Sequence, residues 1–528
     1  MKILSTWRQL TPYLIFNCCV FLSGALMFGI DTGSFGSLQA LPSFLDRFGI
    51  LNDKGNHVLP PTRKALMNSL PWIGKIVGCF IVERLIELAG YKKSMYAVGL
   101  VQIVGIIVEL TAKNWVQFTV GRIIAYLAVG LVENVVPAYN AEISPAAARG
   151  LLSGSIMLLT GLGNLWGAGM SRAYATDSSQ KGWIIPTAMQ LVPAVTFLVL
   201  LPFTVESPRW LILKGRKQAA KKALDKIRSR HDVDNGATAA EVDTIELMIE
   251  ESRATERASW PDIFRGNYLR RTWICATLFV IQQSNGNQFV QSYAPTFYVQ
   301  QGLGSMSFTY AIVGQALSVV GCICGLILFD IIGRRPLFIF GSAVACFLLY
   351  LASGLGSIHN PNQSESNTLI ACFMIVPAFT KISGSNCAYI TGAEIGGLRM
   401  RKKIMAFATA VDVLASFLVT FVTPYLLPGM GSSIGWIFGS VACFAVVWGA
   451  LFFPELKGRS LEEVDELFAA KLKAWQFSKY QSHGAGRFLA TIENDGVVPE
   501  GVDGQHVEIL RADTKVVCKS GAMTQDAS

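Results

Sequence analysis

Several groups of side chains in this sequence are of types, and at spacings, that could do chemistry. Asp31, in Phe28-Gly29-Ile30-Asp31-Thr32-Gly33, is a carboxylate inside an apolar run, where an acid is costly unless paired or protonated. Gln282-Gln283-Ser284-Asn285-Gly286-Asn287-Gln288 is an amide cluster inside another apolar run. Each amide offers donors and acceptors, which suits a hydroxyl-rich ligand; the competing use is hydrogen bonding between helices. Glu142 precedes Arg149 by seven residues, and Glu394 precedes Arg401 by the same seven. Lys75, Glu109, Lys381 and Asp412 are further charges in apolar surroundings, for which a structural role is expected, with Lys381 and Asp412 either pairing or facing a cavity. Glu83 and Arg84 are expected to reach an interface.

The elements that must position these groups are membrane spans. The 528 residues are 52% hydrophobic and 15% charged, too apolar for a soluble enzyme of this length. Stretches able to cross a hydrocarbon layer of about 30 Å recur along the chain, and unpaired backbone is intolerable in lipid, so helices are expected. Twelve are read, near 12–33, 66–87, 94–112, 115–139, 150–170, 183–205, 272–299, 307–329, 336–356, 368–393, 404–427 and 432–453. The first apolar run is long and lacks a small-residue cleavage site, so it is expected to act as an uncleaved insertion signal. The eleven cysteines have neither metal-ligand nor disulfide-framework spacing, and no metal is expected.

The net charge of +9 is read through its placement, and no nucleic-acid partner is expected. Lys92, Lys93, Arg149, Arg334, Arg335, Arg399, Arg401, Lys402 and Lys403 follow even-numbered spans, which puts those loops and both termini in the cytoplasm. The 34–65 connection is then external despite Arg47, Lys54, Arg63 and Lys64, and so is the Asn362-Gln363-Ser364 sequon, making Asn362 a glycosylation candidate.

The chain divides into an N-terminus (1–11), a six-helix half (12–206), a charged cytoplasmic linker with short helices near 217–228 and 240–253 (207–270), a second half (271–453) and a cytoplasmic tail (454–528). The linker charges are read as solvated helix faces. Glu87-Leu88-Ala89-Gly90-Tyr91-Lys92-Lys93 after span 2 matches Asp330-Ile331-Ile332-Gly333-Arg334-Arg335 after span 8, with the acid three residues before the glycine in both. Glu206-Ser207-Pro208-Arg209 and Glu455-Leu456-Lys457-Gly458-Arg459 close spans 6 and 12. Matched sites in the same order imply a duplicated unit, an all-α membrane protein of two pseudo-symmetric six-helix halves. Two such halves can rock about a midplane site while charged contacts at one face open and close, with basic residues pairing across the interface.

These motifs, with Pro137-Ala138-Tyr139-Asn140-Ala141-Glu142, Arg149-Gly150 and Pro454 to Glu463, resemble the sugar porter family of the major facilitator superfamily, in particular its fungal maltose-like and hexose permeases, over residues 14–468. The resemblance implies the major facilitator fold and transport of a hexose or α-glucoside across the plasma membrane with proton symport, usually as a monomer. It implies that Gln282, Gln283, Gln288 and Tyr389 bind substrate, and that Asp31 carries the proton with Arg122 as charge partner. Glu142, Arg149, Asp330, Arg334, Arg335, Glu394 and Arg401 become gating or salt-bridge positions. Phe289 and Tyr293 are further candidates for an aromatic wall.

The sequence departs from the family at Tyr91, where arginine is usual, at Tyr126 and Ala128, where glycines are usual, and at Met157, where glutamine is often found. Packing around span 4 is therefore expected to differ, and a porter of quinate, inositol or a specialised metabolite stays open. No nucleotide-binding loop, nucleophile and base, or metal cluster stands out, so neither a cofactor nor an enzymatic activity is expected. A non-transporting sensor is the alternative from another class.

Overall fold

The computed structural model describes residues 11–480 apart from 54, 145, 255–258, 359–361, 458, 460, 471 and 479. Among them, twelve helical spans follow one another in two sets of six. Spans 1 to 6 are Pro12–Leu38, Pro61–Ser69 continuing as Pro71–Ala89, Tyr91–Leu110, Trp115–Ile143, Ala146–Ala173, and Lys181–Ala188 continuing as Leu191–Leu200. Spans 7 to 12 are Gly266–Ser284 with Asn287–Gln300, Met306–Ile331, Arg334–Gly356, Gln363–Thr380 with Asn386–Ile395, Gly397–Met430 and Ile434–Leu451.

Local chemistry explains where the helices begin. The Thr11 hydroxyl accepts the Leu14 N–H and Pro12 occupies the first turn, so span 1 starts at once. Asn362 and Glu365 form a capping box that starts span 10 five residues before the apolar run read from sequence. Span 2 likewise begins at Pro61 rather than 66, after the Pro60-Pro61 pair. Hydropathy alone marks nine stretches among the described residues as long and apolar enough to cross a membrane, the last, Met400–Leu451, holding spans 11 and 12. Spans 5 and 7 are not among them; in span 7 the amides lower the hydropathy and Gly286, at φ +92°, breaks the helix in two. Span 10 is interrupted by a π-helical turn over Lys381–Ser385.

The outer face of the bundle is apolar, with Phe80, Leu100, Val104, Phe347 and Phe444 exposed, as lipid contact requires. Within the first half, spans 2 and 4 approach closely. A Cβ at Gly130 would overlap the Lys75 carbonyl, and one at Gly74 would overlap that of Ile123. Both spans contribute glycine to this contact, Gly74 and Gly78 from span 2 and Gly130 from span 4.

The linker is only half solvated. Helix Lys217–Ile227 buries Ala220, Leu224 and Ile227 in the core it shares with the first half, and Arg228 donates to the Ile143 carbonyl at 2.9 Å. The reading of its charges as a solvated face holds for one side of that helix; its apolar side is core. After span 12, helix Leu461–Ala469 packs beneath the second half through Leu467 and Phe468, and Arg271 pairs with Asp465.

The halves meet along spans 1 and 7, 2 and 11, and 5 and 8. At the end of the bundle away from the linker, Gln39 donates to the Ser292 carbonyl at 2.5 Å and Arg172 to the Thr309 hydroxyl at 2.7 Å, and these contacts join the halves there.

Candidate functional site

Between the halves lies a cavity lined by residues of both. Span 7 supplies Gln282, Gln283, Asn287, Gln288, Gln291 and Ser292, because the break at Gly286 lets amides from both of its segments face the same space. Gln283 donates to Asp412 Oδ1 at 2.7 Å, and Gln288 donates to the Ser292 hydroxyl at 3.2 Å. The Gln282 carbonyl oxygen is buried with no hydrogen-bond partner among the described residues. The amides therefore divide between holding neighbouring helices and presenting unused hydrogen-bonding capacity to the cavity.

The first half contributes charge. Asp31 is 1% exposed, and Arg122 donates to its Oδ1 at 3.1 Å; its Oδ2 has no partner among the described residues. Arg122 also donates to the Met67 carbonyl at 2.9 Å and to the Tyr126 hydroxyl at 3.2 Å, with its guanidinium 3.7 Å from the Phe35 ring centroid. Arg122 lines the cavity while Asp31 stands behind it, so a change at the cavity wall can reach the acid through one side chain. Buried Glu109 has one carboxylate oxygen without a partner among the described residues. Lys75 pairs with Glu133 at 2.8 Å, and both line the cavity.

Tyr389 lines the cavity from span 10, its hydroxyl donating to Glu133 Oε1 at 3.4 Å across the two halves. The other aromatic candidates do not reach it. Phe289 packs among Phe297, Phe373 and Phe438, and Tyr293 is buried with its hydroxyl on the Thr420 carbonyl. The helix segment after the break turns both rings into the core of the second half. The aromatic wall comes instead from Trp72, Tyr126, Phe28 and Phe35 of the first half, together with Tyr389. Met157 is also on the wall, and Lys381 and Asp412 face the cavity.

At the linker end, the turns after spans 2 and 8 share one construction. Gly90 has φ +86° and Gly333 φ +111°, a region that favours glycine. Glu206 accepts the N–H groups of Tyr91 (2.9 Å) and Lys92 (3.1 Å), and Glu455 accepts those of Arg334 (3.0 Å) and Arg335 (3.0 Å). Burial raises the Glu206 pKa, and the hydrogen bonds from Ser207, Lys92 and Tyr91 work against that rise. Arg334 pairs with Glu394 at 2.9 Å, while in the first half the Tyr91 hydroxyl donates to Glu142 at 2.8 Å and Ser207 also bonds Glu142. Arg335 donates to the Ala450 carbonyl at 2.6 Å. All of these contacts join helices within one half, whereas the sequence suggested basic residues pairing across the interface. The side chains of Arg149 and Asp330 lie outside those described, Arg401 is exposed, and Asn362 is exposed at the start of span 10. Arg84 pairs with Glu87 at 3.5 Å on the surface.

Sequence reasoning passed over Glu133 and Trp72. Glu133 carried a usable signal, since it interrupts the apolar Leu131-Val132 and Val135-Val136 pairs just as Asp31 interrupts its own run.

Comparison with known proteins gives a consistent relation. The family model described as "Sugar (and other) transporter" matches residues 16–468. The low-affinity glucose transporter HXT3 of Saccharomyces cerevisiae is 30% identical over 477 residues, covering 88% of this chain and 83% of that protein. The hexose transporter HXT10 of the same yeast is 30% identical over 472 residues, covering 87% of this chain and 86% of that protein. Among solved structures, the inward-open conformation of the xylose transporter XylE from E. coli has a TM-score of 0.70 at 23% identity, covering 86% of this chain and 100% of the other. The proton:xylose symporter XylE bound to 6-bromo-6-deoxy-D-glucose gives 0.69 at 23% identity, with 86% and 99% coverage.

Proposed function

The chain belongs to the sugar transporter family, and on that premise we propose that it imports a sugar across the plasma membrane by alternating access, coupled to proton symport. The observation that carries this reading is the cavity between the halves, amide-lined on one side and bordered on the other by the buried Asp31–Arg122 pair. Hydroxyls of the sugar bond to Gln282, Gln283 and Gln288, and its C–H face packs on Tyr389. Asp31 takes up and releases the proton, with Arg122 as its switchable partner. Conformational change alters both the desolvation of the acid and its distance from the guanidinium, and these two effects push its proton affinity in opposite directions.

Both termini and the linker are cytoplasmic, and Asn362 is external and carries a glycan. With that orientation, the contacts Gln39–Ser292 and Arg172–Thr309 close the external side, and the conformer is inward-facing. The contacts of Glu142, Arg334, Arg335 and Glu394 at the linker end hold each half rigid as it rocks, and Arg149, Asp330 and Arg401 are gating or salt-bridge positions at the same end. The protein works as a monomer.

Expression in cells without their own sugar carriers tests this reading. Labelled hexose or α-glucoside should accumulate above its external concentration, and an uncoupler should abolish the accumulation. Absence of uptake across a broad panel of sugars would contradict transport and favour a sensor.

A further inference from the structure

The cavity holds more charge than a neutral polyol needs. Two of its cations are matched: Arg122 by Asp31 at 3.1 Å and Lys75 by Glu133 at 2.8 Å. Lys381 also lines the cavity; Asp412 on the same wall acts on it electrostatically, but Lys381 makes no direct hydrogen bond or ion pair among the described residues. It opens the π-helical turn Lys381–Ser385, an irregularity that recurs at functional positions in helices. Asp412, on the same wall, has Oδ1 held by Gln283 and Oδ2 without a partner among the described residues.

An ammonium deep in a membrane bundle is costly without an acceptor in direct contact, and a buried carboxylate oxygen is costly without a donor. One ligand class answers both: a carboxylate to face Lys381, with hydroxyls to donate to Asp412 and the unpartnered Gln282 oxygen. We propose that Lys381 is a carboxylate receptor in the transport cavity, and that the preferred cargo is a polyhydroxylated acid, a uronate or aldonate, over the neutral hexose. This rests on the transport reading above and narrows its substrate class. The carboxylate bonds to the ammonium with charge assistance, while the chain of hydroxyls spans the amides of span 7.

The full-length protein, expressed in cells without their own hexose or uronate carriers, is assayed with labelled D-glucose and labelled D-glucuronate. D-Glucuronate and its neutral amide, D-glucuronamide, serve as competitors with the same hydroxyls. Glucuronate should compete about tenfold or more better than the amide, the size expected of one charge-assisted contact. Lys381→Gln should bring the ratio of the two potencies to about one, and Lys381→Arg should preserve the preference. Equal potency of acid and amide on the wild type, with glucose transported, overturns the inference and leaves the transport reading standing. So does an unchanged ratio in Lys381→Gln. If no solute enters, charged or neutral, the transport reading itself fails and takes this inference with it. Should a variant not reach the membrane, the wild-type ratio alone decides.

Discussion

The turn after span 2 and the turn after span 8 have the same backbone and different side-chain chemistry. In both, a glycine at positive φ exposes two consecutive N–H groups to one glutamate from the end of the half, Glu206 or Glu455. In the second half a guanidinium then reaches the span 10 acid, Arg334 to Glu394; in the first a phenol reaches the span 4 acid, Tyr91 to Glu142. The backbone part follows from geometry, since amides at a tight turn need an acceptor wherever they are withdrawn from water. The side-chain part is free to vary, because a hydroxyl donates to a carboxylate as well as a guanidinium does, only more weakly. The cavity walls diverge further: the first half lines it with paired charges and aromatics, and the second with amides, Lys381 and Asp412.

Removing the shared part should have the largest effect and be symmetric. Glu455→Ala and Glu206→Ala should each cost about 2–3 kcal/mol, the loss of charged hydrogen bonds to half-buried N–H groups, read as a fall in melting temperature in detergent. A severe loss in one half alone would break the symmetry. Removing the variable part should be asymmetric and milder. Arg334→Ala, which takes the guanidinium away from Glu394, should cost about 2 kcal/mol, and Tyr91→Phe about 1 kcal/mol, by the same melts. Equal losses would mean that the phenol has taken over the full ionic role. Smallest of all, Asn362→Gln should shift the mobility of the mature protein on a gel and leave uptake unchanged, since this side chain is exposed and far from both turns and the cavity.

What the sequence made legible was whatever is expensive locally. Twelve apolar stretches, the matched turns and Asp31 could all be found because lipid penalises their alternatives. Partners could not be found that way. Arg122 lies 91 positions from Asp31, and its pairing came from family resemblance rather than from spacing. Lys75 drew attention as a charge in a span, but its partner Glu133 did not, although the same reasoning applied to it. Aromatics were the least legible, since a ring in a helix looks the same facing a cavity or a core. Phe289 and Tyr293 went to the core because of the turn introduced at Gly286, and Trp72 and Tyr126 went to the cavity.

The division between a charged wall that handles the proton and an amide wall that handles the sugar is the central claim. Asp31→Asn and Gln283→Leu, purified and reconstituted into vesicles with an imposed proton gradient, test it in one experiment. Asp31→Asn should lose uphill accumulation while still exchanging labelled for unlabelled sugar, and Gln283→Leu should weaken both processes together. Accumulation by Asp31→Asn that equals the wild type and still collapses with an uncoupler would contradict the account.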